Sequence, residues 1–126
     1  MTMPNYNATF TPSAPVAAVV VTHSTRGTNA ALSGKIDTGA DLTVLPESLI
    51  AQLGLSANGR VWTRGFEGTY SHRLLYYVQM RVEGFNVPVV RCVASPRKDV
   101  LLGRNFLNRF VILLDGPKLT FSLRSL

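Results

Sequence analysis

Cysteine is almost missing from this chain. Only Cys92 occurs in 126 residues, so no intrachain disulfide can form. Apolar residues make up 46%, enough for a chain of this length to bury a core without such staples. Cys92 lies in the run Val89-Val90-Arg91-Cys92-Val93 and reads as a small packed core side chain rather than a reactive thiol. Long apolar runs are also absent. None approaches the ~20 residues that a membrane-crossing helix needs. The stretch 14–21 is apolar, but no basic residue precedes it as a secretory leader requires, so it reads as a strand. The expectation is a cytoplasmic setting, or release from a larger polyprotein, with no membrane partner.

His23, His72 and Cys92 show no short ligand spacing, so neither a metal site nor a cofactor is expected. No Gly-x-Ser-x-Gly elbow occurs, and Ser48 falls in a helical stretch, which argues against a serine nucleophile. Thirteen basic residues against seven acidic ones give a net charge of +6. The basic residues are scattered in sequence, the densest cluster being Arg97-Lys98, with no basic stripe interleaved with aromatics. The charge is therefore read as a solubility feature with a mild preference for acidic partners, and no nucleic-acid partner is expected.

What is present is mostly strand. Residues 1–15 are rich in Asn, Thr, Ser and Pro and read as an irregular N-terminal arm, leaving 16–126 as one domain without internal repeats. Segments 16–22 and 31–36 read as strands joined by the turn Arg26-Gly27-Thr28-Asn29. Segment 43–45 is a short strand. Pro46 suits the first position of a helix that carries Leu49, Ile50 and Leu53 at helical spacing, with Gly54 as its C-cap. Segments 60–66 and 70–82 read as two long strands joined by Glu67-Gly68-Thr69. Gly84 turns the chain into a strand over 87–94, where Pro88 argues against full pairing at the start. A short strand at 100–102 and one or two helical turns over 104–109 follow. The strands 110–114 and 119–123 flank a hairpin turn at Asp115-Gly116-Pro117-Lys118.

Two motifs carry chemistry. In Ile36-Asp37-Thr38-Gly39-Ala40-Asp41 an apolar strand delivers a carboxylate into a tight turn. Gly39 lets the backbone approach closely, and the Thr38 hydroxyl can lock the loop, which together hold a carboxylate rigid. The same triplet also suits a plain Asx-turn, in which Asp37 only caps its own loop. The second motif is Val100-Leu101-Leu102-Gly103-Arg104-Asn105, which by itself is ordinary core followed by a helical turn.

In this order, and with a glycine-tipped hairpin between them, the two motifs resemble the retropepsins. These are the homodimeric aspartic proteases of retroviruses and retroelements and their cellular and bacterial relatives. The resemblance covers residues 16–123. It implies a mainly β fold, a small closed barrel of the acid-protease type with one or two short helices, acting as a homodimer on peptide or protein substrates. It also implies roles for individual residues. Asp37 would be the catalytic aspartate, and the Thr38 hydroxyl would brace the partner's loop. The Gly39 carbonyl would contact substrate. Asp41 would bind substrate backbone and pair with Arg104, a structural brace. Leu42 and Leu101 would line specificity pockets, and Gly68 would sit at the tip of a closing flap, with Phe66, Glu67 and Tyr70 facing substrate or solvent.

The mechanism of that family needs two carboxylates about 3 Å apart that share one proton. The acidic residues here are Asp37, Asp41, Glu47, Glu67, Glu83, Asp99 and Asp115, and only Asp37 lies in such a loop. Twofold pairing of two chains would place Asp37 beside its own copy, with the strand over 119–123 as a candidate for the dimer sheet. The alternative reading is a catalytically silent module of the same fold that serves dimerisation or peptide binding.

Overall fold

In the computed structural model, residues 3–64 and 67–125 are described. Ten strands and two short helices follow one another: β1 (Val16–Thr22), β2 (Asn29–Ile36), β3 (Thr43–Pro46), α1 (Glu47–Leu53), β4 (Arg60–Arg64), β5 (Tyr70–Leu74), β6 (Tyr76–Val82), β7 (Phe85–Ser95), β8 (Val100–Leu102), α2 (Arg104–Leu107), β9 (Val111–Asp115) and β10 (Thr120–Arg124). Six of them close into a barrel in the order β1-β2-β8-β3-β7-β6, with β6 pairing back onto β1. The fold is the mainly β closed barrel expected. β4–β5 and β9–β10 are separate two-stranded hairpins.

Period-two alternation explains the barrel. In β1, Ala17, Val19 and Val21 point inward, and in β6 Val78, Met80 and Val82 do the same. Together with Leu45, Val90, Val100, Leu102, Phe106 and Phe121 they form one apolar core. Cys92 is fully buried in it, as its apolar surroundings suggested, and burial pushes its thiol pKa far up. The β6–β7 connection is a two-residue turn in which both Glu83 and Gly84 have positive φ, the geometry whose twist matches a tight hairpin. Further along the pair, Val78 opposes Val90 while Met80 opposes Val87, so Pro88 and Val89 face Gln79 alone. Pro88 thus sits in a bulge, where its missing N–H costs no ladder hydrogen bond.

Two expectations are corrected. Residues 70–82 do not form one strand: the chain breaks at Leu75, which is buried. Even-numbered positions face outward in β5 and inward in β6, so the pleat changes phase there. Pro46 is not the first helical residue but the N-cap of α1, with extended backbone that ends β3. Gly54 does cap α1 in the left-handed conformation. Beside β10 the chain's own start is bonded to residues 119–121, through Tyr6 N–H to Leu119 O (2.8 Å) and Phe121 N–H to Pro4 O (3.0 Å). Among the described residues no strand pairs with the outer side of β9, where Leu113 and Leu114 are exposed, or with that of β10 beyond Phe121.

Candidate active site

The loop 37–42 leaves the barrel at the end of β2 and re-enters at β3. These two strands are not neighbours, because β8 runs between them, parallel to β2 and antiparallel to β3. The loop therefore arches over the end of β8, and the residues that follow β8 lie directly against it. That topology brings the two sequence motifs together.

Gly103 is required at the crossing. A Cβ there would lie 2.5 Å from both the carbonyl carbon and oxygen of Leu42 and 2.9 Å from the Thr43 nitrogen. These are backbone atoms where the loop enters β3, and unlike the end of a flexible side chain they cannot swing aside. With glycine in place the crossing is stitched by hydrogen bonds. The Asp37 N–H donates to Leu102 O (3.0 Å), the Arg104 N–H to Ala40 O (2.8 Å) and the Asn105 N–H to Asp41 O (3.3 Å).

Side chains complete the fastening. Arg104 donates from Nη1 to the Thr38 carbonyl (2.7 Å) and from Nη2 to Asp41 Oδ1, so one guanidinium spans the loop. Both members of the ion pair are exposed in the single chain, with side-chain accessibilities of 44% and 85%. An exposed pair contributes only about 0–1 kcal/mol, so its value here lies in loop shape.

Beneath the loop is a link between residues that the sequence reading passed over. Thr43, the buried polar side chain of the described core, donates from both N–H and Oγ to Asn105 Oδ1, each at 2.9 Å. Its Oγ accepts from the Gly103 N–H (3.2 Å), and Asn105 Nδ2 donates to Arg91 O (2.7 Å). Asn105 was visible in the second motif, but its partner lies 62 positions away. The only local signal was a hydroxyl residue opening an otherwise apolar buried strand.

On this frame Asp37 is half-buried at the loop's start. Its Oδ1 accepts from the Gly39 N–H at 2.9 Å, the contact of an Asx-turn, which sets the carboxylate's orientation. Among the described residues no other hydrogen bond reaches that carboxylate. Thr38 and Gly39 are exposed beside it, and Leu42 and Leu101 are half-buried. Gly68 lies between β4 and β5, at the hairpin tip, and Phe66 lies outside the described residues. A cleft of about 400 Å³ bordered by Glu47, Ile50, Arg73 and Tyr76 opens on the flank of α1 and does not include Asp37. No group of three metal-ligating side chains occurs among the described residues, and no described helix is long and apolar enough to cross a membrane.

Comparison with known proteins gives the same direction. Residues 28–109 match the family model described as "gag-polyprotein putative aspartyl protease". Among solved structures the chain is similar to the foamy viral protease-reverse transcriptase in complex with an RNA/DNA hybrid, at 20% identity and a TM-score of 0.56. That match covers 75% of this chain but spans only 12% of the larger protein. It is also similar to the simian foamy virus protease (21% identity, TM-score 0.56, 75% of this chain and 92% of that one). The EIAV protease in complex with the inhibitor HBY-793 is a third such structure (21%, 0.55, 75% and 86%). At these identities the likeness is one of fold. No curated protein sequence matches.

Proposed function

The chain belongs to the gag-polyprotein aspartyl protease family, and from that premise we propose that it is an aspartic endopeptidase whose active site forms only when two copies pair. The observation that carries this reading is the state of Asp37. It is a carboxylate held on a stitched loop, oriented by the Gly39 N–H, and its own chain offers no second acid in a comparable loop.

In the pair, the two Asp37 carboxylates share one proton, because like charges about 3 Å apart cannot both ionise. The ionised one takes a proton from a water, which attacks the scissile carbonyl, and the protonated one donates its hydrogen to the carbonyl oxygen. The resulting gem-diol collapses with proton transfer to the leaving amine, and no covalent intermediate forms. The Thr38 hydroxyl reaches to the partner's loop, and the Gly39 carbonyl and Asp41 hold the substrate backbone. Leu42 and Leu101 line the pockets beside the cut, Arg104 braces the loop, and the hairpin tipped by Gly68 closes over bound peptide to exclude water. The β9 edge, with Leu113 and Leu114, supplies an apolar contact for pairing. The protease domain in this reading runs over 16–126 with 1–15 as its arm. The family supports release from a larger polyprotein, the second of the two settings expected.

The test is cleavage of a peptide library at mildly acidic pH by protein shown by sedimentation to be dimeric, with and without a statine-type inhibitor. Inhibitor-sensitive cleavage by the dimer is expected. No cleavage by a confirmed dimer would leave the silent-module reading, and full activity of a strict monomer would remove the shared site.

A further inference from the structure

The β4–β5 hairpin has two unlike faces. Cross-strand partners share a face, as do alternate residues along each strand. One face holds Val61, Thr63 and Arg73 at partly buried positions, and Arg73 Nη1 ties it to Ala94 O of β7 at 2.8 Å. The other face is made of three cross-strand pairs, Arg60 with Leu74, Trp62 with His72 and Arg64 with Tyr70, and all six residues are exposed. Trp62 is 66% and Tyr70 63% accessible. Pairing with β5 thus adds Tyr70, His72 and Leu74 to the alternating Arg60, Trp62 and Arg64 of β4.

We infer that this open face binds an extended acidic peptide, with carboxylates meeting Arg60 and Arg64 and an apolar side chain lying on Trp62. The peptide would be the substrate of the endopeptidase proposed above, so the inference deepens that reading. Three observations carry it. Arg60, Trp62 and Arg64 recur every second residue along β4, the repeat at which an extended peptide presents alternate side chains. An acidic-x-apolar-x-acidic sequence therefore matches the face in register. Among the described residues β4 pairs only with β5, so its outer edge offers backbone donors and acceptors to an added strand. Finally, the face carries guanidinium groups and no carboxylate, and a guanidinium binds carboxylates through paired, charge-assisted hydrogen bonds. The Trp62 ring is stacked on His72 (centroids 4.7 Å apart, planes at 18°), which fixes its orientation and leaves its other face for the peptide's apolar side chain.

The test is fluorescence anisotropy with the full chain and labelled peptides of the pattern Glu-x-Leu-x-Glu, their Gln counterparts and their Lys counterparts. The Glu peptide is expected to bind about tenfold or more tightly than the Gln peptide. An Arg60→Glu/Arg64→Glu double variant should reverse the order in favour of the Lys peptide, with an unchanged circular dichroism spectrum. Equal binding of the Glu and Gln peptides, or an order unaffected by the charge reversal, overturns the inference. So does a single-stranded oligonucleotide that displaces the Glu peptide and binds more tightly than it, since nucleic acid would then be the occupant. Because the readout is binding, it separates from catalysis. Acidic preference without cleavage sinks only the catalytic reading, and cleavage without acidic preference sinks only this inference.

Discussion

Asn105 Oδ1 accepts two hydrogen bonds from one residue, the backbone N–H and the hydroxyl of Thr43, both at 2.9 Å. Thr43 is fully buried. A single amide oxygen therefore satisfies two donors that have no access to water, and it does so directly beneath the loop that presents Asp37. Buried donors left without partners are costly, so this link is where the stability of the site is concentrated.

Replacing Asn105 by Ala should accordingly destabilise the protein by about 2–4 kcal/mol, since two buried donors on Thr43 lose their acceptor. Urea unfolding of the variant beside the parent measures this. A change below about 0.5 kcal/mol, the range of an ordinary surface substitution, would show that water or a local shift replaces the link.

Gly103→Ala drives a methyl group into the backbone of Leu42 and Thr43. Relief requires the Asp37 loop to lift, so a loss of at least about 2 kcal/mol is expected. Gly116→Ala is the control, because a Cβ there meets nothing within 4 Å. Thermal melts of the two variants should differ by several degrees, and equal melting temperatures would contradict the close crossing.

Asp37→Asn keeps the size of the side chain and an oxygen to accept from Gly39. Folding and pairing should be unchanged by sedimentation and circular dichroism, while cleavage falls by about 10²- to 10⁴-fold as the acid–base pair is lost. Activity retained in that variant would place the chemistry elsewhere.

Cys92 should be inert in the folded chain. Burial raises its pKa, so little thiolate exists and none is accessible. Alkylation by iodoacetamide should be slower than in denaturant by a factor on the order of 10³ or more, following opening of the barrel. The folded state keeps this thiol protonated where the unfolded state ionises it. Stability should therefore decline as pH rises through the ordinary thiol range, and Cys92→Ala should lack that part of the decline. Fast labelling of native protein would contradict the core position.

Much of this molecule is local and was legible as such. Strands β1, β2 and β8, the span of α1 and its Gly54 cap follow from alternation, helical spacing and the conformational freedom of one glycine. So do the two motifs, because a carboxylate in a tight turn and an apolar strand ending in glycine are written in adjacent residues. The break at Leu75 was not legible, because residues 70–82 have strand-forming composition on both sides of the point where the pleat changes phase. The bulge at Pro88 was half legible, since the proline signalled trouble but not which partner residue would face two.

By itself, the sequence determined that the protein is mainly β, that it carries one candidate catalytic carboxylate at Asp37, and that its second motif contains the residues able to pack against the first. Tertiary structure alone decided how they meet. Inserting β8 between β2 and β3 puts Gly103 under Leu42, Arg104 across Thr38 and Asp41, and Asn105 against Thr43. It also decided what joins the face that Arg60, Trp62 and Arg64 share by alternation, since Tyr70, His72 and Leu74 reach it only when β4 pairs with β5. The physical reason is the same in both cases. Hydrogen-bond partners and sheet faces are set by strand order and register, which depend on contacts between residues tens of positions apart, while turn chemistry and periodicity depend on neighbours.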